Sequence, residues 1–330
     1  MTASRTDHEP PKTDQRRIHF PPILNGLDYL ESTVTLLGPT EGEPSARDVK
    51  YAVLHLQAAV ETLLKARLAL KEAKLVWVKP DEYEEQKHQA GAFKSVGWED
   101  AIKRVKRECE PTTKIGPPRI YKALADMRNR FQHLGVSESA TGVEALAIPV
   151  LDNLLTFVTA DLLPNDDTAE WQAAEESMER VRSGLSPIKD FVAHRLDPIR
   201  DALDYQQSST IACLSCAQLT VMIDGSDVVT CALCGRNYGE PHEAAWEYTD
   251  TSPYLVAKGR ESAEVFDCAE CGGAAIQTTT ASAPEKESWV CFRAACEING
   301  LCQFCNQAAD IVFPEAEMCQ NCLDYKYAKF

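Results

Sequence analysis

Along residues 24–206 apolar positions recur at three- and four-residue steps, the period of a helix that buries one face. Leu27, Leu30, Val34 and Leu37 mark a short helix over 26–37. Val49, Val53, Leu56, Val60, Leu63 and Leu64 mark a long one over 46–75; Arg67 falls on the centre line of its stripe, so the last turns are expected to be less cleanly buried. A charged loop over 81–93 leads to a helix over 98–109. After the helix-breaking Pro117-Pro118 pair, Ile120, Leu124, Met127, Phe131 and Leu134 define a helix over 118–134. Gly135 follows, placed to take the left-handed position just past the helix end. Leu146, Val150, Leu154 and Val158 stripe a helix over 143–163, which Pro149 starts or bends. Two more amphipathic stretches cover 169–183 and 187–205. Short loops between consecutive helices favour antiparallel neighbours, so 24–206 is predicted to be an all-α helical bundle. Residues 1–23, polar and proline-bearing, read as disordered.

The helical period stops at Gln206, and cysteine pairs set the spacing from there. Cys213 and Cys216 precede Cys231 and Cys234; Cys268 and Cys271 precede Cys291 and Cys296; Cys302 and Cys305 precede Cys319 and Cys322. Two tight cysteine pairs joined by a short hairpin are the pattern of a four-thiolate zinc ribbon, in which each pair forms a knuckle around the metal. The reading is three small β-rich zinc ribbons at 207–240, 263–299 and 300–330, with 241–262 as linker, holding up to three structural zinc ions. The last pair of the second set is widened, so Cys291, Cys296, Cys302 and Cys305 admit other groupings. Leu219 to Ile223 and Val228 to Thr230 flank Asp224-Gly225, a hairpin signal inside the first ribbon. Cys109 stands apart from the pairs and reads as a small buried hydrophobe. Each complete four-cysteine set leaves no open ligand position, which argues against a catalytic metal.

Composition then narrows the setting. A length of 330 residues predicts at least two domains. No unbroken apolar run reaches the roughly 18 residues of a membrane span, and the N-terminal segment lacks the apolar core of an export signal. With twelve of thirteen cysteines in short paired spacings, thiolate–metal sites in a reducing cytoplasm are expected rather than disulfides. The net charge of −16 opposes unselective binding to nucleic acid by the chain as a whole. Residues 207–330 carry seven Lys/Arg against seventeen Asp/Glu, and each four-thiolate zinc would add about −2. That tail suits a protein regulator or docking partner better than RNA. Residues 94–130 are the exception, with ten Lys/Arg against five Asp/Glu, and they run into the 118–134 helix.

On that helix, at about 100° per residue, Arg128 lies roughly 80° from the centre of the apolar stripe, while Asn129 and His133 share the opposite face. These residue types suit cleavage of RNA without a metal. A histidine can move the proton of a 2′-hydroxyl, an arginine forks onto phosphate oxygens, and an asparagine can hold a ring or phosphate in register.

The order Arg128-Asn129-x-x-x-His133 on a late helix resembles the signature of the HEPN domain superfamily. The run from Val49 to Arg67, with Glu61 and Lys65 four apart, resembles the long first helix of that domain. The resemblance covers 24–206 and leaves the C-terminal third untouched. It implies an endoribonuclease acting as a homodimer, with the Arg128–His133 helices of two copies facing one cleft and a 2′,3′-cyclic phosphate as product. Family context further implies a toxin or antiphage-defence effector whose ribbons serve regulation or partner binding. Non-catalytic members of the superfamily imply an alternative, a dimerisation adaptor whose acidic ribbons dock a protein.

Overall fold

The structure, a computed structural model, describes residues 18–39, 41–109, 114–166 and 168–328. Most of the 1–23 segment expected to be disordered lies outside the described residues. Its last two positions already belong to the first helix.

Helices α1 (Pro22–Leu37) and α2 (Ala46–Lys71) pack along their length and form the centre of the bundle. Their close approach depends on Gly26, where a Cβ would stand 2.5 Å from Leu63 Cγ. Ser45 starts α2 with a capping box: its hydroxyl accepts from the Asp48 amide, and the Asp48 carboxylate accepts from the Ser45 amide. All six residues of the predicted α2 stripe are buried. Lys65 donates to Glu61 at 2.6 Å and also to Ser95 Oγ at 2.9 Å, tying α2 to the following loop.

The predicted charged loop contains α3 (Glu85–Gln89) and a small aromatic cluster. Trp77 stacks on Phe93 with centroids 4.7 Å apart, and its indole N–H donates to His88 Nδ1. Arg104 of α4 (Trp98–Glu108) donates to the carbonyls of Leu75, Trp77 and Val78, which fixes this loop on the bundle.

Helices α5 (Pro118–His133) and α6 (Ala140–Phe157) pack on α2. Pro149 lies inside α6, and the helix continues into a π turn over Val158–Leu162. The wider turn carries Asp161 inward, where its carboxylate accepts from Arg67 Nε at 3.1 Å. The two side chains are 4% and 7% exposed, so an arginine on the apolar stripe of α2 is accounted for by a buried partner. Ala140–Leu162 is long and apolar enough to cross a membrane by those measures alone, yet half of its most apolar window is buried against the bundle.

α7 (Trp171–Ser183) agrees with its prediction, whereas the stretch predicted as one helix over 187–205 is two, α8 (Lys189–Leu196) and α9 (Arg200–Tyr205). Pro198, which has no N–H to donate, sits in the turn between them.

The C-terminal third is built from short antiparallel strands. β1 (Thr210–Ala212) pairs with β2 (Leu219–Met222), and the arm after the Asp224-Gly225 turn returns beside β2 through an isolated antiparallel bridge between Val221 and Cys231, one residue past the predicted 228–230. Within 228–230, Thr230 bridges Asn237. The 241–262 stretch, read as linker, forms α10 (Pro241–Thr249) and α11 (Pro253–Ala257), with Ala244 and Ala245 fully buried. β3 (Phe266–Asp267), β4 (Ala274–Thr280) and β5 (Ala283–Cys291) follow, and β1 pairs with β4 at Ile211 and Thr280. The first two modules therefore share one five-stranded sheet. The third consists of β6 (Gly300–Leu301) with β7 (Ala308–Ala309), β8 (Ile311–Phe313) with β9 (Met318–Cys319), and α12 (Gln320–Tyr327).

Candidate functional site

The twelve paired cysteines gather into three groups of four: Cys213, Cys216, Cys231 and Cys234; Cys268, Cys271, Cys291 and Cys296; Cys302, Cys305, Cys319 and Cys322. Within each group the sulfurs lie within 4.8 Å of one another, which settles the grouping left open around Cys291–Cys305. Sulfur–sulfur separations of 3.6 Å for Cys213–Cys234, 3.7 Å for Cys216–Cys231 and 3.9 Å for Cys305–Cys319 are far beyond a disulfide bond. A tetrahedral ion about 2.3 Å from four thiolates would set those edges near 3.8 Å. The cysteines are therefore placed to hold three metal ions.

The backbone explains how each pair is held. At Cys213, Cys231, Cys268 and Cys302 the same two bonds recur: the cysteine N–H donates five residues ahead, and its carbonyl accepts from the amide four residues ahead. The residue after the second cysteine is left-handed in all four knuckles: Ala217, Gly235, Gly272 and Asn306 have φ between 56° and 72°. Glycine takes that conformation freely, whereas Ala217 holds it at a cost that closure of the knuckle has to offset. The remaining pairs differ. Cys291 ends β5, and Cys319 is the N-cap of α12 with Cys322 in its first turn, so the third module closes on a helix rather than on a second knuckle.

The first site is also the most enclosed, with all four cysteines buried. Tyr238 Oη lies 3.1 Å from Cys213 Sγ, and Thr220 Oγ1 lies 3.1 Å from Cys231 Sγ. Burial pushes the Tyr238 phenol upward, which keeps it a donor. Hydroxyls bonded to metal-binding thiolates spread their charge and fix their direction. Nothing in the cysteine spacing points to Tyr238 or Thr220.

The second candidate constellation lies on α5. Its buried residues are Tyr121, Leu124, Ala125 and Met127, while Ile120 and Phe131 are half-buried. Leu134 lies beyond the helix end in extended backbone and is 71% exposed, so it does not extend the predicted stripe. Gly135 does not take a left-handed conformation, because the chain already leaves the helix at Leu134. Arg128 is half-buried, whereas Asn129 and His133 are exposed. Arg128 Nη1 donates to Asn129 Oδ1 at 2.9 Å, which gathers two of the three predicted site residues. His133 ends the helix one turn later.

A cavity of about 360 Å³ beside this end is lined by Ala46, Val49, Lys50, Phe131, Leu134 and Val136 among others, but by neither Arg128 nor His133. Four of the ten basic residues of the 94–130 segment are paired locally: Lys103 with Glu99, Arg107 with Glu108, Lys122 with Asp126 and Arg130 with Glu138. A single copy thus presents the arginine, asparagine and histidine on an open helix surface without enclosing a substrate. Comparisons with protein-family models, with curated proteins and with solved structures give no match for this chain.

Proposed function

We propose that the helical domain is an endoribonuclease of HEPN type, acting as a homodimer in which α5 of two copies faces a shared cleft. The observation that supports this most is the presentation of Arg128, Asn129 and His133 to solvent along the last turns of one helix. One imidazole takes the proton of the 2′-hydroxyl, whose oxygen attacks the adjacent phosphorus. The bond to the 5′-oxygen breaks, and the leaving oxygen is protonated by the second imidazole. Arg128 offsets charge on the phosphoryl oxygens, and Asn129 holds the guanidinium in place. The products are a 2′,3′-cyclic phosphate and a 5′-hydroxyl. The proposed proton transfers and charge stabilisation use histidine and arginine alone and ask for no divalent ion.

In the same reading the three four-cysteine centres hold structural zinc, and the acidic modules around them regulate the nuclease or dock a protein partner, as in a toxin or antiphage effector. Four-sulfur sites suit iron as well as zinc, and metal analysis of the purified protein separates the two. A second reading, a non-catalytic dimerisation adaptor, is favoured by one observation: the cavity lined by Phe131 and Leu134 at the helix end does not include Arg128 or His133. The test is cleavage of RNA in the presence of a chelator of catalytic divalent ions. Wild-type cleavage with cyclic-phosphate ends, lost in His133→Ala, supports the nuclease. Absence of cleavage by either protein supports the adaptor, and equal cleavage by both removes His133 from the chemistry.

A further inference from the structure

We infer that the first metal centre is a keystone of the helical domain, whereas the third can be emptied without loosening the helices. The inference rests on the cysteine groups holding metal and is independent of whether α5 cleaves RNA.

The apolar core carries the first part of the argument. Ile211, Val221, Leu233, Tyr238, Val290 and Phe292 are buried in the same continuous cluster as the helices of the bundle. The cysteines of the second and third sites lie instead in two small separate clusters, one around Ala275 and Ala308 and the other around Ala309 and Met318. The helical domain and the first module thus have no core boundary between them.

Polar contacts show where the joint is made. Arg195 of α8 donates to Asp152 Oδ1 of α6 at 2.6 Å, to Thr156 Oγ1 at 3.1 Å, and to the Leu233 carbonyl at 2.8 Å. Leu233 lies between Cys231 and Cys234, so one guanidinium binds α6 to the second knuckle. On the first knuckle, Ser186 donates to the Cys216 carbonyl, and Ser215 donates to Glu179 of α7 at 2.9 Å. Glu179 also accepts from Arg236 at 2.6 Å, two residues past Cys234. Gly235 is close enough to the π turn that an added Cβ would stand 3.5 Å from Thr159 Oγ1. From the same turn Asp161 reaches Arg67 of α2.

The first-module residues held in these contacts, Ser215, Cys216, Leu233 and Arg236, therefore lie inside or beside a knuckle whose shape four sulfurs close. Short modules of this kind fold with their metal. When the metal leaves, the Leu233 and Cys216 carbonyls lose their positions, and α6 loses the surface that α8 holds it against. α6 packs directly on α5, so the helix bearing Arg128 and His133 is the next to loosen.

In the third site, among the described residues, Cys302, Cys305, Cys319 and Cys322 make no hydrogen bond to α6, α7 or α8 like those of the first site. α12 packs on β8 and β9, and Cys305 and Cys322 are not buried. Its tie to the second module is made by backbone pairing, including Ala269 N–H to the Ala308 carbonyl.

The test uses full-length protein, with metal content measured by mass spectrometry and backbone hydrogen exchange measured across α5–α8. Cys319→Ser/Cys322→Ser is expected to lose one metal equivalent while exchange in α5–α8 stays within about twofold of wild type. Cys231→Ser/Cys234→Ser is expected to lose protection in α6–α8 by roughly a hundredfold or more, or to accumulate insoluble. Arg195→Gln keeps every ligand and guards against mere misfolding. It should retain wild-type metal content, raise exchange in α6 and α8, and release one metal to a chelator about tenfold faster. Wild-type protection in α5–α8 of a soluble first-site variant would overturn the inference, as would equal loosening by the third-site variant or wild-type behaviour of Arg195→Gln. Wild-type protein without metal would defeat the underlying metal reading as well.

Discussion

Removing Asp161 exposes how the bundle tolerates an arginine on its most buried helix. Arg67 Nε and Asp161 Oδ1 are 3.1 Å apart, and both side chains are almost entirely enclosed. At that separation, an effective dielectric of about 20 gives an attraction of roughly 5 kcal/mol, set against a desolvation cost of similar size. The pair as a whole therefore adds little net stability, but breaking it leaves a buried guanidinium without its carboxylate. Asp161→Ala should cost about 3–5 kcal/mol, a large share of the stability of an ordinary domain. Arg67→Met/Asp161→Leu, which removes both charges at similar volume, should recover most of that loss. Urea unfolding followed by far-ultraviolet circular dichroism measures all members of the cycle, including Arg67→Met alone. If Asp161→Ala costs less than about 1 kcal/mol, or if the double variant is as unstable as the singles added together, the π turn is not there to bury this pair.

Other outcomes follow from named contacts. Burial pushes the Cys109 thiol up, so Cys109 should resist alkylation in native protein and react only at the rate of unfolding, as read by mass spectrometry. Tyr238→Phe removes the hydroxyl beside Cys213 Sγ and should lower metal affinity at the first site about 10–100-fold in chelator competition, leaving the other two sites unchanged. Gly26→Ala places a methyl group against Leu63 and should destabilise the bundle by about 1–3 kcal/mol in the same urea assay.

The parts of this fold legible in the sequence are those governed by local period and spacing. The α2 stripe from Val49 to Leu64 and the three cysteine groups both appear in the structure, because helix periodicity and knuckle geometry act over a few residues. The spacing leaves the grouping of Cys291 and Cys296 open because Cys302 follows Cys296 closely in sequence; β5 decides it by carrying Cys291 back to Cys271. The turn at Asp224-Gly225 brings the chain back beside β2 at the Val221–Cys231 bridge, while the longer ladder of β2, with β1, is closed by the Cys213–Cys216 knuckle and has no hairpin turn to announce it. Tertiary joints left almost no trace. Arg195 and Glu179 look like ordinary charges on amphipathic helices, and only the fold brings them to the knuckles. Arg67 on the apolar centre line implies less cleanly buried last turns of α2, whereas the structure buries Arg67 and Leu68 because Asp161 supplies the partner from a distant helix. On α5 the spacing placed Arg128, Asn129 and His133 clear of the core, but the Arg128–Asn129 bond and the early end at Leu134 depend on side-chain geometry and on the following turn.

The most direct measurement is the chemistry itself: purified wild type, Arg128→Ala and His133→Ala, each with intact metal content and matched oligomeric state, incubated with single-stranded RNA and analysed for product ends. The account predicts 2′,3′-cyclic phosphate and 5′-hydroxyl ends from wild type, with rates falling about 10²–10⁴-fold on loss of the histidine. Equal cleavage by all three proteins, or 3′-hydroxyl ends from wild type, would contradict it.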